Sequence, residues 1–168
     1  MRRTLDALYL TSGVLAALFL MLIAVSILAQ IAGRAMGGVI DATEFSGFCM
    51  AASTFLGLAY ALRGGAHVRV GLLIEALPAH WRRRLESFVC AFSAGILGWL
   101  AWCAGTYTLQ SYEFGDLSPG LIAAPLWIPQ VGMTLGLIVM TIALVDEFWR
   151  LARHGHATYI DNDAGSLE

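Results

Sequence analysis

The stretch ALYLTSGVLAALFLMLIAVSILAQIAG, Ala7 to Gly33, runs for 27 residues without an Asp, Glu, Lys or Arg. A helix rises about 1.5 Å per residue, so about 20 apolar residues cross a hydrocarbon layer of roughly 30 Å. Arg2 and Arg3 precede the stretch, as in a secretory signal, but the apolar part of a cleaved signal spans roughly 7–15 residues. This one is nearly twice as long and reads as an anchor helix that stays in the membrane. A twin-arginine export signal would make no sense ahead of further spans, and further spans follow.

Three more charge-free intervals extend the pattern: Phe45 to Leu62 (18 residues), Ser87 to Tyr112 (26) and Leu117 to Val145 (29). The second is the shortest, yet Glu44 and Arg63 flank it where charged groups reach the headgroups. In the fourth, Pro119, Pro125 and Pro129 crowd the first half. Proline inside a helix loses a hydrogen bond and clashes with the preceding turn but is tolerated in the first turn, so the membrane helix is expected to begin between Pro125 and Pro129, behind a Gly115–Gly120 turn and an apolar segment from Leu121 to Pro125. The fold class is therefore an all-α membrane protein with four transmembrane helices, at about 7–33, 45–62, 87–112 and 126–145. These spans form one domain over residues 1–153, and a mobile tail is expected over 154–168.

Composition supports this reading. The chain of 168 residues is 58% hydrophobic and 13% charged, against roughly 25% charged in a soluble domain. A net charge of -2 argues against nucleic acid as a partner. Cys49, Cys90 and Cys103 all fall in apolar runs, which argues against a disulfide framework.

The arginines set the expected orientation. Arg2, Arg3, Arg63, Arg69, Arg82, Arg83, Arg84, Arg150 and Arg153 fall on one side of the spans and only Arg34 on the other. By the positive-inside rule both termini and the long central loop are cytoplasmic. The net charge then divides into nine arginines against eight carboxylates inside, and Arg34 against Asp41, Glu44, Glu113 and Asp116 outside. In the central loop Val70, Leu73, Ile74 and Leu77 recur at helical spacing and Trp81 extends the stripe, which predicts an amphipathic interfacial segment between the second and third helices. Pro78 divides it from the third helix, which opens near Ala79.

Helices in lipid associate where small residues let backbones approach. Ser53, Gly57 and Ala61 share one face of the second span, as do Gly47 and Ala51, and Gly132 and Gly136 share a face of the fourth. These are the expected packing faces. Chemistry-bearing groups are missing from the spans: His67, His80, His154 and His156 all lie in the expected cytoplasmic segments, and no carboxylate sits mid-span. Without nucleophile, phosphate-loop or metal-ligand arrangements, no catalytic, substrate-binding or metal residues are assigned and the chain is not read as an enzyme. A membrane scaffold or accessory subunit is the reading, with a stand-alone small carrier or channel acting as a homo-oligomer as the alternative.

Several motifs resemble a known family. Glu44-Phe45 opens the second span, Leu56-Gly57-Leu58-Ala59 and Arg63-Gly64-Gly65-Ala66-His67-Val68-Arg69-Val70 follow, and then Leu77-Pro78. A second stretch runs through Ser118-Pro119-Gly120-Leu121 and Pro125-Leu126-Trp127-Ile128-Pro129. Over roughly residues 5–152 the chain resembles the small membrane subunit, or small permease, of tripartite ATP-independent periplasmic (TRAP) transporters. That resemblance implies an accessory subunit of a sodium-coupled secondary transporter for organic acids in the bacterial inner membrane. It implies a separate large multi-span subunit that works as an elevator and carries the sodium sites, and a periplasmic substrate-binding protein. No cofactor is expected on this chain. Arg63, His67, Arg69 and Arg82 to Arg84 would anchor it to membrane lipids or to the large subunit, and Arg34, Asp41 and Glu44 would form a periplasmic polar group.

Overall fold

Backbone surrounded by lipid must satisfy its hydrogen bonds within one segment, and each charge-free interval supplies one helix that does so. The computed structural model describes residues 2–38, 41–63, 79–120 and 123–154. They form α1 (Arg2–Ala35), α2 (Thr43–Arg63), α3 (Ala79–Phe114) and α4 (Trp127–His154). All four are long and apolar enough to cross a membrane, over Leu5–Ala35, Thr43–Leu62, Ser87–Phe114 and Trp127–Ala152. Residues 64–78, with most of the interfacial stripe, and the tail from 155 onward lie outside the described residues.

The helices outrun the intervals because charge does not end a helix. α3 begins at Ala79, so its first two turns carry Trp81 and Arg82 to Arg84. α4 passes through Asp146, Glu147 and Arg150, with Arg150 and Glu147 paired at 3.8 Å one turn apart. At 36 residues, α3 is about 54 Å long, well beyond a bilayer core.

What does end the helices is local backbone chemistry. Gly37 (φ 79°) and Gly115 (φ 66°) adopt the left-handed conformation that costs glycine nothing. At each, the next residue's N–H folds back five residues: Gly38 to the Gly33 carbonyl at 2.9 Å, and Asp116 to that of Ser111 at 3.1 Å. These paired bonds are Schellman caps that satisfy the last carbonyls of α1 and α3. α4 starts at Trp127, leaving Pro129 inside its first turn. Ahead of it, Ser118 N–H donates to the Ala124 carbonyl at 2.8 Å and Leu126 N–H to that of Asp116 at 3.0 Å, closing a tight loop in which Leu117 faces Pro125.

Packing follows a different order from the chain. α1 lies along α2, α2 along α4 and α4 along α3, while α1 meets α4 only at a few residues. The result is a row, α1–α2–α4–α3, with α1 and α3 at its edges. Tyr9 of α1 is buried with Ala59 of α2 and with Val139, Met140, Ala143 and Leu144 of α4. The start of α1 therefore lies beside the ends of α2 and α4, and the arginine-bearing helix ends share one side of the molecule. Two smaller clusters, Ala16–Ala52–Leu56 and Ala101–Ala104–Leu137, continue the core toward the other side. Alanine dominates because small side chains let apolar helices approach without any hydrophobic drive.

Candidate functional site: the helix seams

α2 is the centre of the row, and its two seams use different means. On the α1 side hydroxyls reach across to backbone. Ser12 of α1 donates to the Leu56 carbonyl of α2, and Ser53 of α2 donates to the Ala16 carbonyl of α1 at 2.9 Å. Farther along, the Ser26 and Ser46 hydroxyls meet at 2.8 Å, and each also lies 2.8 Å from a carbonyl of its own helix, Ile23 and Ala42 respectively, so one hydroxyl donates across the seam and the other to its own helix. In an apolar medium such bonds add specificity to packing that dispersion alone would leave slack. Gly13 accommodates Tyr60, whose ring would lie 2.7 Å from a Cβ there.

On the α4 side, glycine replaces hydroxyl. A Cβ at Gly132 would lie 3.1 Å from that of Ala52, and one at Gly136 would overlap the backbone of Phe55. Here the helices touch backbone to backbone, which only glycine permits. The α4–α3 seam returns to hydroxyls, with Thr108 and Thr134 joined at 3.1 Å and Gly98 facing the Thr141 methyl. Tyr112 and Trp127 close that seam edge to face at 5.7 Å between ring centres.

Among the residues singled out from sequence, Ser53 and Gly57 face α1, and Gly132 and Gly136 face α2. Ala61 is half-buried. Gly47 differs from the expectation: it is exposed, and a Cβ there would meet nothing within 4 Å. Its four-residue spacing to Ala51 resembles a packing motif, yet the helix turns that glycine away from both neighbours.

The polar residues at the far end from the arginines do different jobs. The Asp41 carboxylate accepts the Thr43 N–H at 3.0 Å and opens α2. That bond, helped by the Thr43 hydroxyl and the charge of Arg34, holds the Asp41 carboxyl below its ordinary value. Glu44, in the first turn of α2, points instead at the α3–α4 loop, where a Cβ at Gly120 would overlap its carboxylate. Gly120 thus lets the start of α2 tuck under that loop.

At the arginine-bearing end, Trp81 sits in the first turn of α3 with its ring exposed, and Arg84 is exposed. Arg63 closes α2, and Arg82 and Arg83 belong to the first turns of α3. His67, Arg69, Val70, Leu73, Ile74 and Leu77 lie outside the described residues.

Sequence reasoning passed over Ser12, Gly13 and Ala16, which carry the α1 half of the seam. Ser12 and Ala16 are four apart, the same small-residue spacing that marks α4. Thr108 and Thr134 carry no such signal, since threonine is as common on faces that bond only to their own helix: Thr54, Thr106 and Thr141 each bond a carbonyl of the preceding turn at 2.8 Å.

Comparison with known proteins gives a consistent result. Residues 23–154, from the middle of α1 to the end of α4, match the family model described as tripartite ATP-independent periplasmic transporters, DctQ component. The chain is 31% identical over 140 residues to the ectoine TRAP transporter small permease protein TeaB of Halomonas elongata, covering 82% of this chain and 69% of that protein. It is 27% identical over 120 residues to the C4-dicarboxylate TRAP transporter small permease protein DctQ of Rhodobacter capsulatus, covering 67% of this chain and 52% of that one. No solved structure matches.

Proposed function

Because the chain belongs to the DctQ-component family of TRAP transporters, and is thus a transporter subunit with four membrane helices, we propose that it is the static scaffold of a sodium-coupled importer of organic solutes. The observation that supports a static role is the pair of seams on α2. Gly136 puts α4 in backbone contact with α2, and reciprocal hydroxyl bonds fix α1 on the opposite side. Helices locked at that distance do not slide without unpacking.

The spans also contain no charged residue from Ala7 to Gly33, Phe45 to Leu62 or Ser87 to Tyr112. Ion and carboxylate sites inside membranes use ionisable or convergent polar groups. Sodium and solute therefore bind to a separate large multi-span subunit that moves as an elevator, and a periplasmic binding protein delivers the solute. The named relatives handle ectoine and C4-dicarboxylates, so the class of solute is a small, water-soluble organic acid or zwitterion.

In this reading the chain lies in the bacterial inner membrane with both termini in the cytoplasm. The arginines of the α2–α3 segment, together with Arg82 to Arg84, hold the complex at a fixed depth against anionic headgroups. The interfacial stripe Val70, Leu73, Ile74, Leu77 and Trp81 lies along the same surface, and Arg34, Asp41 and Glu44 face the periplasm.

Solute uptake in a strain lacking this chain tests the proposal. Uptake is expected to fall to background and to return when the chain is supplied from a plasmid. Intact uptake without it, or sodium-driven flux into liposomes that hold this chain alone, would overturn it.

A further inference from the structure

Among the described residues, α3 is an edge of the row, packed against α4 on one side and open on the other. The outward faces of α1 and α4 are aliphatic, with Leu18 and Leu135 each 50% exposed, as a lipid-facing surface requires. α3 differs. Near the centre of its span, Ser87–Phe114, Trp99 and Trp102 are 70% and 72% exposed, and neither indole N–H has an acceptor among the described residues. Gln110 is exposed on the same side, since it follows Trp99 by eleven residues, about three helical turns. Gly95 is open there too, with nothing within 4 Å of a Cβ.

Tryptophan belongs at the membrane–water boundary, where its N–H finds a partner. Acyl chains offer no acceptor, so two indoles at mid-depth are mismatched to lipid. They match a helical partner that presents carbonyl or hydroxyl oxygens, and Trp is among the residue types enriched at the energetic centres of interfaces. A second copy of the chain is a poor match. A two-fold contact centred on Trp99 and Trp102 would set their indole donors against one another.

We propose that the open face of α3, centred on Trp99 and Trp102, is where the large membrane subunit docks, supplying acceptors to both indoles and to Gln110 and a side chain to the notch at Gly95. The proposal rests on the function inferred above and adds the face. Photo-crosslinking in membranes that contain the whole transporter tests it, with a benzophenone amino acid at position 99, and at 18 and 135 for comparison.

An adduct with the large subunit from position 99, and none from 18 or 135, is the expected result. Adducts from 18 or 135 without one from 99, or an adduct of twice the chain's own mass at 99, would overturn the assignment. A Trp99→Leu/Trp102→Leu variant supplies an independent readout. It is expected to keep the helix content and melting temperature of the isolated chain while retaining less than a tenth of the co-purifying large subunit. Undiminished co-purification overturns the docking face alone. If the unmodified chain brings down no large subunit, the function inferred above fails and the face with it.

Discussion

A methyl group at position 136 would occupy space held by the Phe55 backbone, so the cost of Gly136→Ala is paid in helix separation. Overpacking of this kind costs about 1–3 kcal/mol. Gly47→Ala is the internal control: its Cβ enters open space, and replacing a helical glycine contributes up to about 1 kcal/mol of stability. Thermal unfolding in detergent is expected to move in opposite directions for the two variants. Ala123 is a strained point, held at φ 45° where a non-glycine residue loses about 1–2 kcal/mol. Ala123→Gly is therefore expected to raise the melting temperature, and an unchanged value would mean that the loop does not keep that conformation. Asp41 makes a pH prediction. Its carboxyl is held below 3.8 by the Thr43 N–H, the Thr43 hydroxyl and Arg34, so its stabilisation is complete above that value and fades as pH falls through the lowered pKa. Asp41→Asn should remove that acid-limb dependence and lower stability at neutral pH toward the level the unmodified chain has at acid pH, as measured by melting between pH 3 and pH 7.

At the scale of the helix pair, the α1–α2 seam rests on two hydroxyls that each bond the opposite backbone. Interhelical bonds of this type contribute on average about 0.6 kcal/mol each. Ser12→Ala and Ser53→Ala should each cost about that much. Because they hold one seam at neighbouring levels, their combined effect should depart from additivity in a double-mutant cycle. The four elements were legible in the sequence, since 18 to 29 uncharged residues in a row leave little choice but a span. Their ends were less so. α3 starts eight residues before its charge-free interval because Arg82 to Arg84 are good helix formers, whereas α1 and α3 stop where Gly37 and Gly115 take positive φ. The packing faces were legible only in part. The same four-residue spacing of small side chains marks Gly132–Gly136, which meets α2, and Gly47–Ala51, whose glycine points into open space. When lipid and protein neighbours are both apolar, hydrophobic periodicity no longer distinguishes them, and the partner of each face is set by shape.

As a whole molecule, the row α1–α2–α4–α3 leaves large apolar faces open, more than a soluble chain could tolerate. Its arginines gather at one end and its acids predominate at the other. Such an object is suited to being held in a membrane beside something larger. The spatial order was not legible in advance, because it depends on Gly136 letting α4 slip in beside α2, which displaces α3 to the edge. The proposed function requires that this chain work only as part of a larger membrane complex. The most direct measurement is affinity purification of the tagged chain from membranes of cells that express the whole transporter, followed by mass determination of the intact assembly. A stable complex with one large multi-span subunit is the predicted result. Recovery of this chain alone, or only with copies of itself, would contradict the proposed function.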